Sequence, residues 1–278
     1  MDEQTTEQAD YKTAAYKTVL FDVKDHVATL TLNRPQAYNS FNRDMVEEVQ
    51  HIWRSLRTDD AVRVVVLRSA PCPAFCTGVD VAPKPGDRPW RTPEAREKPW
   101  QYEDPSDYLG IKRNKVWKPL ICAVSGMAAG GAFYFLNEAD IVICSEDATF
   151  FDPHVTYDQV SACEPIGAFA RMPFPEIQRM VLMGNHERIT AQTALRISLV
   201  TEIVEKDRLW ARAQDLAELI AARHPVAIEG SVKAMWDALS MPLSVALENA
   251  IKYPQLGNPI ATAGRDRKAM KPRTHWFR

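Results

Sequence analysis

The chain has 278 residues, with 34 Lys+Arg against 36 Asp+Glu and a formal net charge of −2. At 46% hydrophobic and 25% charged residues it reads as an ordinary globular protein, which excludes collagen-like, coiled-coil and wholly disordered classes. Near-neutral charge gives no argument for nucleic acid or an anionic membrane as partner. There are only 11 Gly against 19 Pro, so each glycine needs a local reason.

From the N-terminus, Met1–Asp10 is acidic and polar, with neither a basic nor an apolar leader segment. Val19–Val23 and His26–Leu32 flank Lys24-Asp25 and predict a β-hairpin, closed by Asn33-Arg34-Pro35. Asn42 is placed to cap a helix whose Val46, Val49, Ile52, Trp53 and Leu56 fall at helical spacing. Val62–Leu67 is a β-branched run, expected as a buried strand. Residues 81–110 hold six prolines, which block helix and remove donors, so a long loop is expected there. Trp90, Trp100, Tyr102 and Tyr108 suit it to line an apolar site or to anchor a surface loop.

Leu120–Val124 is a further strand, followed by a turn at Gly126 and by Gly130-Gly131 entering a helix. Ile141–Cys144 and Thr149–Phe151 are strands, and from Pro165 the chain turns helical. Helices are expected over 191–198, from Asp207 onward, over 226–239 and over 243–253. The run Leu120–Leu136 is too short and too interrupted for a bilayer span. Of the five cysteines, Cys122 and Cys144 sit in apolar runs that suit buried, reduced thiols, and Cys72 and Cys76 lack a second pair at zinc-site spacing, so no metal is expected and a reducing cytoplasm fits. Strands alternating with helices give an α/β class.

Two segments carry chemistry. Phe75-Cys76-Thr77-Gly78-Val79-Asp80 follows a buried strand, and Ser125–Ala132 is a strand, glycine turn and helix start. A glycine turn opening a helix presents free N–H groups to a phosphate or an oxyanion, or simply lets helix and strand pack closely.

Taken together, these motifs resemble the crotonase (enoyl-CoA hydratase/isomerase) superfamily. The resemblance rests on Asn33-Arg34-Pro35 with Asn39-Ser40, Phe75–Asp80, Lys118–Gly126, Gly130-Gly131 with Ala139-Asp140-Ile141, Ala148–Phe151 and Arg188–Val204, and it covers roughly residues 17–260. It implies a ClpP/crotonase-like spiral of β-β-α units over 17–205, preceded by a disordered arm 1–16. A C-terminal helical region, 206–278, would support a homotrimer or dimer of trimers, with Trp210, Trp236 and Leu247 on amphipathic helices. It implies an acyl-CoA thioester substrate, with coenzyme A arriving as part of that substrate and no permanently bound cofactor. The backbone amides of Thr77 and Gly131 would hold the thioester oxygen, with Gly78 and Gly130 beside them. Arg34, Asp80, Lys24 and Lys252 are candidates on the coenzyme A side.

The chain departs from the family at its two glutamates. Ungapped alignment puts Tyr134 and His154 in those slots. His154 titrates near neutrality and suits acid–base work, with Glu164 or Asp158 downstream to orient it. Tyr134 is expected either to donate a hydrogen bond or to fill the pocket, and Asp152 to cap the turn at Pro153. A hydratase or isomerase reaction in lipid or ring-compound catabolism is the first expectation. A C–C bond hydrolase of the β-diketone type, or a silent acyl-CoA binder, are the alternatives.

Overall fold

The computed structural model of the chain describes residues 11–90, 103–264 and 275–276. Ten strands are present among them: β1 Val19–Lys24, β2 Val27–Leu32, β3 Val64–Ser69, β4 Ala74–Cys76, β5 Leu120–Val124, β6 Met127–Ala129, β7 Ile141–Ser145, β8 Thr149–Phe151, β9 Ile189–Thr190 and β10 Glu202–Val204. The helices are α1 Arg43–Leu56, α2 Ser106–Leu109, α3 Phe133–Glu138, α4 Cys163–Gly167, α5 Phe174–Met183, α6 Ala191–Arg196, α7 Leu209–Ala221, α8 Pro225–Ala238, α9 Leu243–Ala250 and α10 Lys252–Ala261.

Six strands form one sheet in the order β1-β2-β3-β5-β7-β10, and four form a second in the order β4-β6-β8-β9. Apart from the antiparallel β1–β2 and β8–β9 pairs, neighbours run parallel. The chain climbs as a spiral. β3, β5 and β7 lie side by side, and each turns a corner into β4, β6 or β8 of the second sheet. Successive corners are tied to one another by Met127 N–H to Pro73 O (3.0 Å) and Thr149 N–H to Gly126 O (3.1 Å).

The β-branched run of β3 is buried on both faces, as a central parallel strand requires. Side chains alternate between faces. Val65 and Leu67 enter the main core with Trp53 and Phe75. Val64 and Val66 face α7, which lays Leu209, Ala213, Ala217 and Ala221 against them. Alanines at a four-residue spacing keep one face of α7 flat, so helix and sheet approach closely.

Asn42 caps α1 through its side-chain oxygen, which accepts from Met45 N–H at 3.0 Å. The hairpin turn sits one residue later than expected, on Asp25-His26 (φ 49° and 68°), a pair of positive φ values matching the twist of the flanking strands. A larger correction concerns the arm. Tyr11 is buried against Phe21 and donates to Asp59 at 2.5 Å, while Tyr16 reaches His51, so 11–16 belong to the packed body; residues 1–10 lie outside the described residues. Within 81–110, Trp90 is buried edge-on to Tyr108, and Arg43 stacks on both rings. Trp100 and Tyr102 lie outside the described residues.

Asp140 joins the C-terminal helices to the spiral. Its carboxylate accepts from Leu120 N–H, Lys112 Nζ and Trp236 Nε1 at 2.7–2.8 Å. Trp236 therefore anchors α8 internally, and Trp210 stacks on Arg68, whereas Leu247 is exposed. Among the described residues no helix is long and apolar enough to cross a membrane, and all five cysteines are unpaired.

Candidate active site

The first part of the site is built from backbone. β4 ends at Cys76, and Thr77-Gly78 turn away from it. β6 ends at Ala129, and Gly130-Gly131 start the short 3-10 turn that leads into α3. The two loops touch. A Cβ on Gly78 (φ +83°) would lie 2.8 Å from the Gly131 nitrogen, and one on Gly131 would lie 3.2 Å from the Gly78 Cα. Only a residue without a side chain fits either place. Phe41 supports both from below. Its N–H donates to Gly78 O at 2.8 Å, and its ring would be 2.6 Å from a Cβ on Gly131.

The Asn33–Ser40 motif clips this loop in place. Arg34 is 4% exposed and donates to Ser40 O (2.7 Å), Asp80 (2.8 Å) and Asp87 (3.0 Å). Asn39 accepts from Arg34 N–H and donates to Ala74 O at 3.0 Å. Arg34 and Asp80, expected on the coenzyme A side, thus satisfy each other inside the protein. Cys76 is fully buried, and burial pushes its thiol up to about 12.

The second part is made of side chains. β8 delivers Asp152, and a 3-10 turn over His154–Tyr157 follows. The Asp152 side chain folds forward, accepting from the His154 N–H at 3.0 Å and lying 2.6 Å from its Nδ1. Its other oxygen accepts from Ser161 Oγ at 2.7 Å. Burial alone would raise this carboxyl, but the His154 and Ser161 hydrogen bonds hold it below the usual range. The hydrogen bond to Asp152 in turn raises the imidazole above its ordinary value, against the effect of burial. The remaining nitrogen, Nε2, stands 3.7 Å from Glu164 Oε1 on α4. Glu164 is 6% exposed, and burial raises its carboxyl.

Tyr134 on α3 borders Glu164 and donates to Asp104 at 3.0 Å; burial, then Glu164 and Asp104, push its phenol far up. The His154 Cε1 would be 3.6 Å from a Cβ on Gly130, so the side-chain cluster abuts the glycine loops.

Of the expected residues, Thr77, Gly78, Gly130 and Gly131 meet in one place, and His154, Glu164 and Tyr134 meet beside it. Asp158 does not join them. It ends the 3-10 turn at φ 55° and is exposed. The carboxylate on Nδ1 is Asp152, expected only to cap a turn. It does both, because the same oxygen takes the backbone and the ring donor. An Asp two residues before a His was the available signal. Asp104 and Ser161 were missed, and nothing in their local sequence marks them.

A two-sheet spiral of β-β-α turns, with paired glycine loops at its second sheet and a cluster of ionisable side chains alongside, defines a crotonase-fold protein. The chain belongs to the enoyl-CoA hydratase/isomerase family, whose model it matches over residues 22–256. It is 33% identical to (E)-benzylidenesuccinyl-CoA hydratase of Thauera aromatica over 90% of this chain and 93% of that one. It is 30% identical to the short-chain-enoyl-CoA hydratase of Clostridium acetobutylicum, over 82% and 85%. A crystal structure of an enoyl-CoA hydratase/isomerase from Mycobacterium paratuberculosis superposes with a TM-score of 0.77 at 34% identity, covering 87% of this chain and 90% of that one.

Proposed function

We propose that the protein is an enzyme that adds water to the double bond of an α,β-unsaturated acyl-CoA, or removes it in the reverse direction. The amides of Thr77 and Gly131 receive the thioester oxygen, and His154 with Glu164 moves the protons. One observation carries the reading. A buried carboxyl and a carboxylate-anchored imidazole stand 3.7 Å apart, directly beside the glycine loops. Hydration needs one acid and one base on the two carbons next to a polarised carbonyl, and this arrangement supplies both without the family's usual glutamate pair.

Each oxyanion donor is worth about 3 kcal/mol to a transition state in which charge reaches the thioester oxygen. The two relatives described above are hydratases by name, which favours hydration over C–C cleavage. The relative acting on a benzylidenesuccinyl thioester makes an aryl-substituted acyl group a reasonable choice here. The exposed leucines 239, 243, 247 and 256 on or beside α8, α9 and α10 support a trimer, which light scattering would test. Five unpaired thiols suit a reducing cytoplasm.

The test uses cinnamoyl-CoA and crotonyl-CoA with product analysis. A 3-hydroxyacyl-CoA product is expected, with His154→Ala slowed by about 100-fold or more. Undiminished turnover in that variant would remove His154 from the mechanism. A ring-opened or cleaved carboxylate from a β-diketone offered in parallel would indicate C–C hydrolysis, and saturable binding without turnover a silent binder.

A further inference from the structure

His154 and Glu164 come from parts of the fold that are anchored differently. His154 follows β8 and is tied to it by Asp152, which takes its backbone N–H and lies 2.6 Å from its Nδ1. Glu164 comes later in the chain, beyond the exposed residues 156–160. Ser161 fastens the end of that stretch by donating to Asp152 Oδ2 at 2.7 Å. α4 itself is a single turn, Cys163–Gly167, and no side chain caps it. So short a helix does not hold its place without tertiary contacts. The 3.7 Å between His154 Nε2 and Glu164 Oε1 therefore needs a constraint on α4 from outside it.

α3 supplies that constraint. Asn137 Nδ2 donates to the backbone oxygen of Glu164 at 2.8 Å, so the bond ends on the residue whose carboxyl faces the imidazole. Gly167 stands three residues after Glu164, at a spacing that shares one helix face. A Cβ on Gly167 would lie 2.4 Å from Asn137 Nδ2 and 3.1 Å from its Cγ. Gly167 has an ordinary helical φ of −58°, so its backbone conformation does not require glycine. Glycine is unfavourable in a helix, and the contact with Asn137 is its local reason here. Asn137 is 7% exposed, and its Oδ1 is buried with no hydrogen-bond partner among the described residues. An apolar side chain of similar size would avoid that desolvation penalty. The amide thus weighs against stability at one atom while its other atom places α4. α3 starts directly after the Gly130–Ala132 turn, so Asn137 ties Glu164 to the glycine loops rather than to the exposed connection.

We propose that Asn137 is a positioning residue: its hydrogen bond to the Glu164 carbonyl and its contact with Gly167 set the distance between the Glu164 carboxyl and His154 Nε2. This rests on the reading of His154 and Glu164 as the acid–base pair, and Asn137 acts only through Glu164.

The test combines kinetics with an NMR titration of the substrate-free full chain labelled at histidine, the His154 signal being assigned by its loss in His154→Ala. Glu164→Gln measures the coupling within the pair and should lower the His154 midpoint by about half a pH unit or more. Asn137→Leu keeps the volume and removes the donor. It should lower the midpoint in the same direction and add nothing further in a Glu164→Gln background. On crotonyl-CoA, Asn137→Leu should lower kcat by about 10- to 100-fold with KM within about twofold, and by less than about threefold where Glu164 is already Gln. A residue that only stabilises the fold would lower kcat by the same factor in both backgrounds and leave the midpoint in place. Gly167→Ala presses on the same contact from the α4 side and should have the same two effects, so it decides if Asn137→Leu does not fold. An unmoved midpoint in the variant that folds overturns the proposal, as does an equal loss of kcat in both backgrounds. A midpoint that Glu164→Gln itself leaves in place also overturns it, because no coupling is then present to be set. A parent protein that turns over no enoyl-CoA would defeat the assigned reaction while leaving the titration readable, so the two failures are separable.

Discussion

The two parts of the site are held by different kinds of constraint. The Thr77–Gly78 and Gly130–Gly131 loops are fixed by backbone: the two segments pass so closely that a methyl group on either would meet the other or the Phe41 ring. The Asp152, His154, Glu164, Tyr134 and Asp104 cluster is fixed by side chains from β8, α4, α3 and the segment before α2. A backbone frame permits almost no residue change. A side-chain cluster can be rebuilt from other residue types, provided an acid and a base end up in reach of the same carbons. In this chain the frame is built on glycine and the cluster on a histidine held between two carboxyl groups.

The strongest attempt to break that contrast is a methyl group in the frame. Gly131→Ala puts a Cβ 2.6 Å from Phe41, and Gly78→Ala adds a left-handed backbone strain of about 1–2 kcal/mol to a contact of 2.8 Å. Either should displace the Gly131 amide and lower kcat/KM on cinnamoyl-CoA by about 100- to 1000-fold. Coenzyme A ester binding should weaken far less. Activity within tenfold of the parent would mean that the close contact is not a functional constraint.

The next effect lies in the cluster and is read from a pH profile. His154 as base is active when neutral, so the rate rises with pH through the imidazole midpoint. Asp152 raises that midpoint above the ordinary value of 6.5. Asp152→Asn removes the charge, so the acid limb should move down, toward 6.5 or below. The amide also holds the ring tautomer less firmly, and a loss of about tenfold or more at the optimum is expected. Stability should change as well. The Asp152 carboxyl is depressed, so its contribution is present above the ordinary aspartate value and is lost as pH falls through the depressed one. Acid unfolding of the Asn variant should therefore depend less steeply on pH. An acid limb that does not move would detach Asp152 from the imidazole.

The same division explains what could be read from the residues alone. Strands β5 and β8 and the Asn42 cap were legible because hydrophobic runs and a capping side chain act locally. The glycine loops were legible because close backbone approach demands glycine in a fixed place in the chain. Arg34 was legible as a fixed position but not as a clasp: its partners Asp80 and Asp87 lie 46 and 53 residues away, and nothing in one dimension shows that they consume its charge. Asp104 was illegible for the same reason, since it meets Tyr134 across 30 residues. Tyr11 looked like part of a polar arm because a lone aromatic beside acidic residues has no periodicity to mark it as core.

The smallest expected effect concerns a residue whose spacing suggested the opposite. Asp158 stands four residues after His154, a separation that would share one face of an α-helix. The chain instead makes a 3-10 turn and closes it at Asp158 in the left-handed conformation, with its N–H donating to Val155 O at 3.2 Å and its side chain exposed. Asp152, only two residues before, reaches the ring because its oxygen already accepts the His154 backbone N–H, which sets the side chain alongside Nδ1. Asparagine adopts the left-handed region as readily as aspartate, so Asp158→Asn leaves the turn intact and removes only the charge. Turnover on cinnamoyl-CoA should stay within about twofold and the acid limb of the profile should not move, since a solvated charge on the far side of the turn is screened. A tenfold loss would mean that this turn rewinds when substrate binds, bringing Asp158 to the imidazole and displacing Asp152 as the group that orients it.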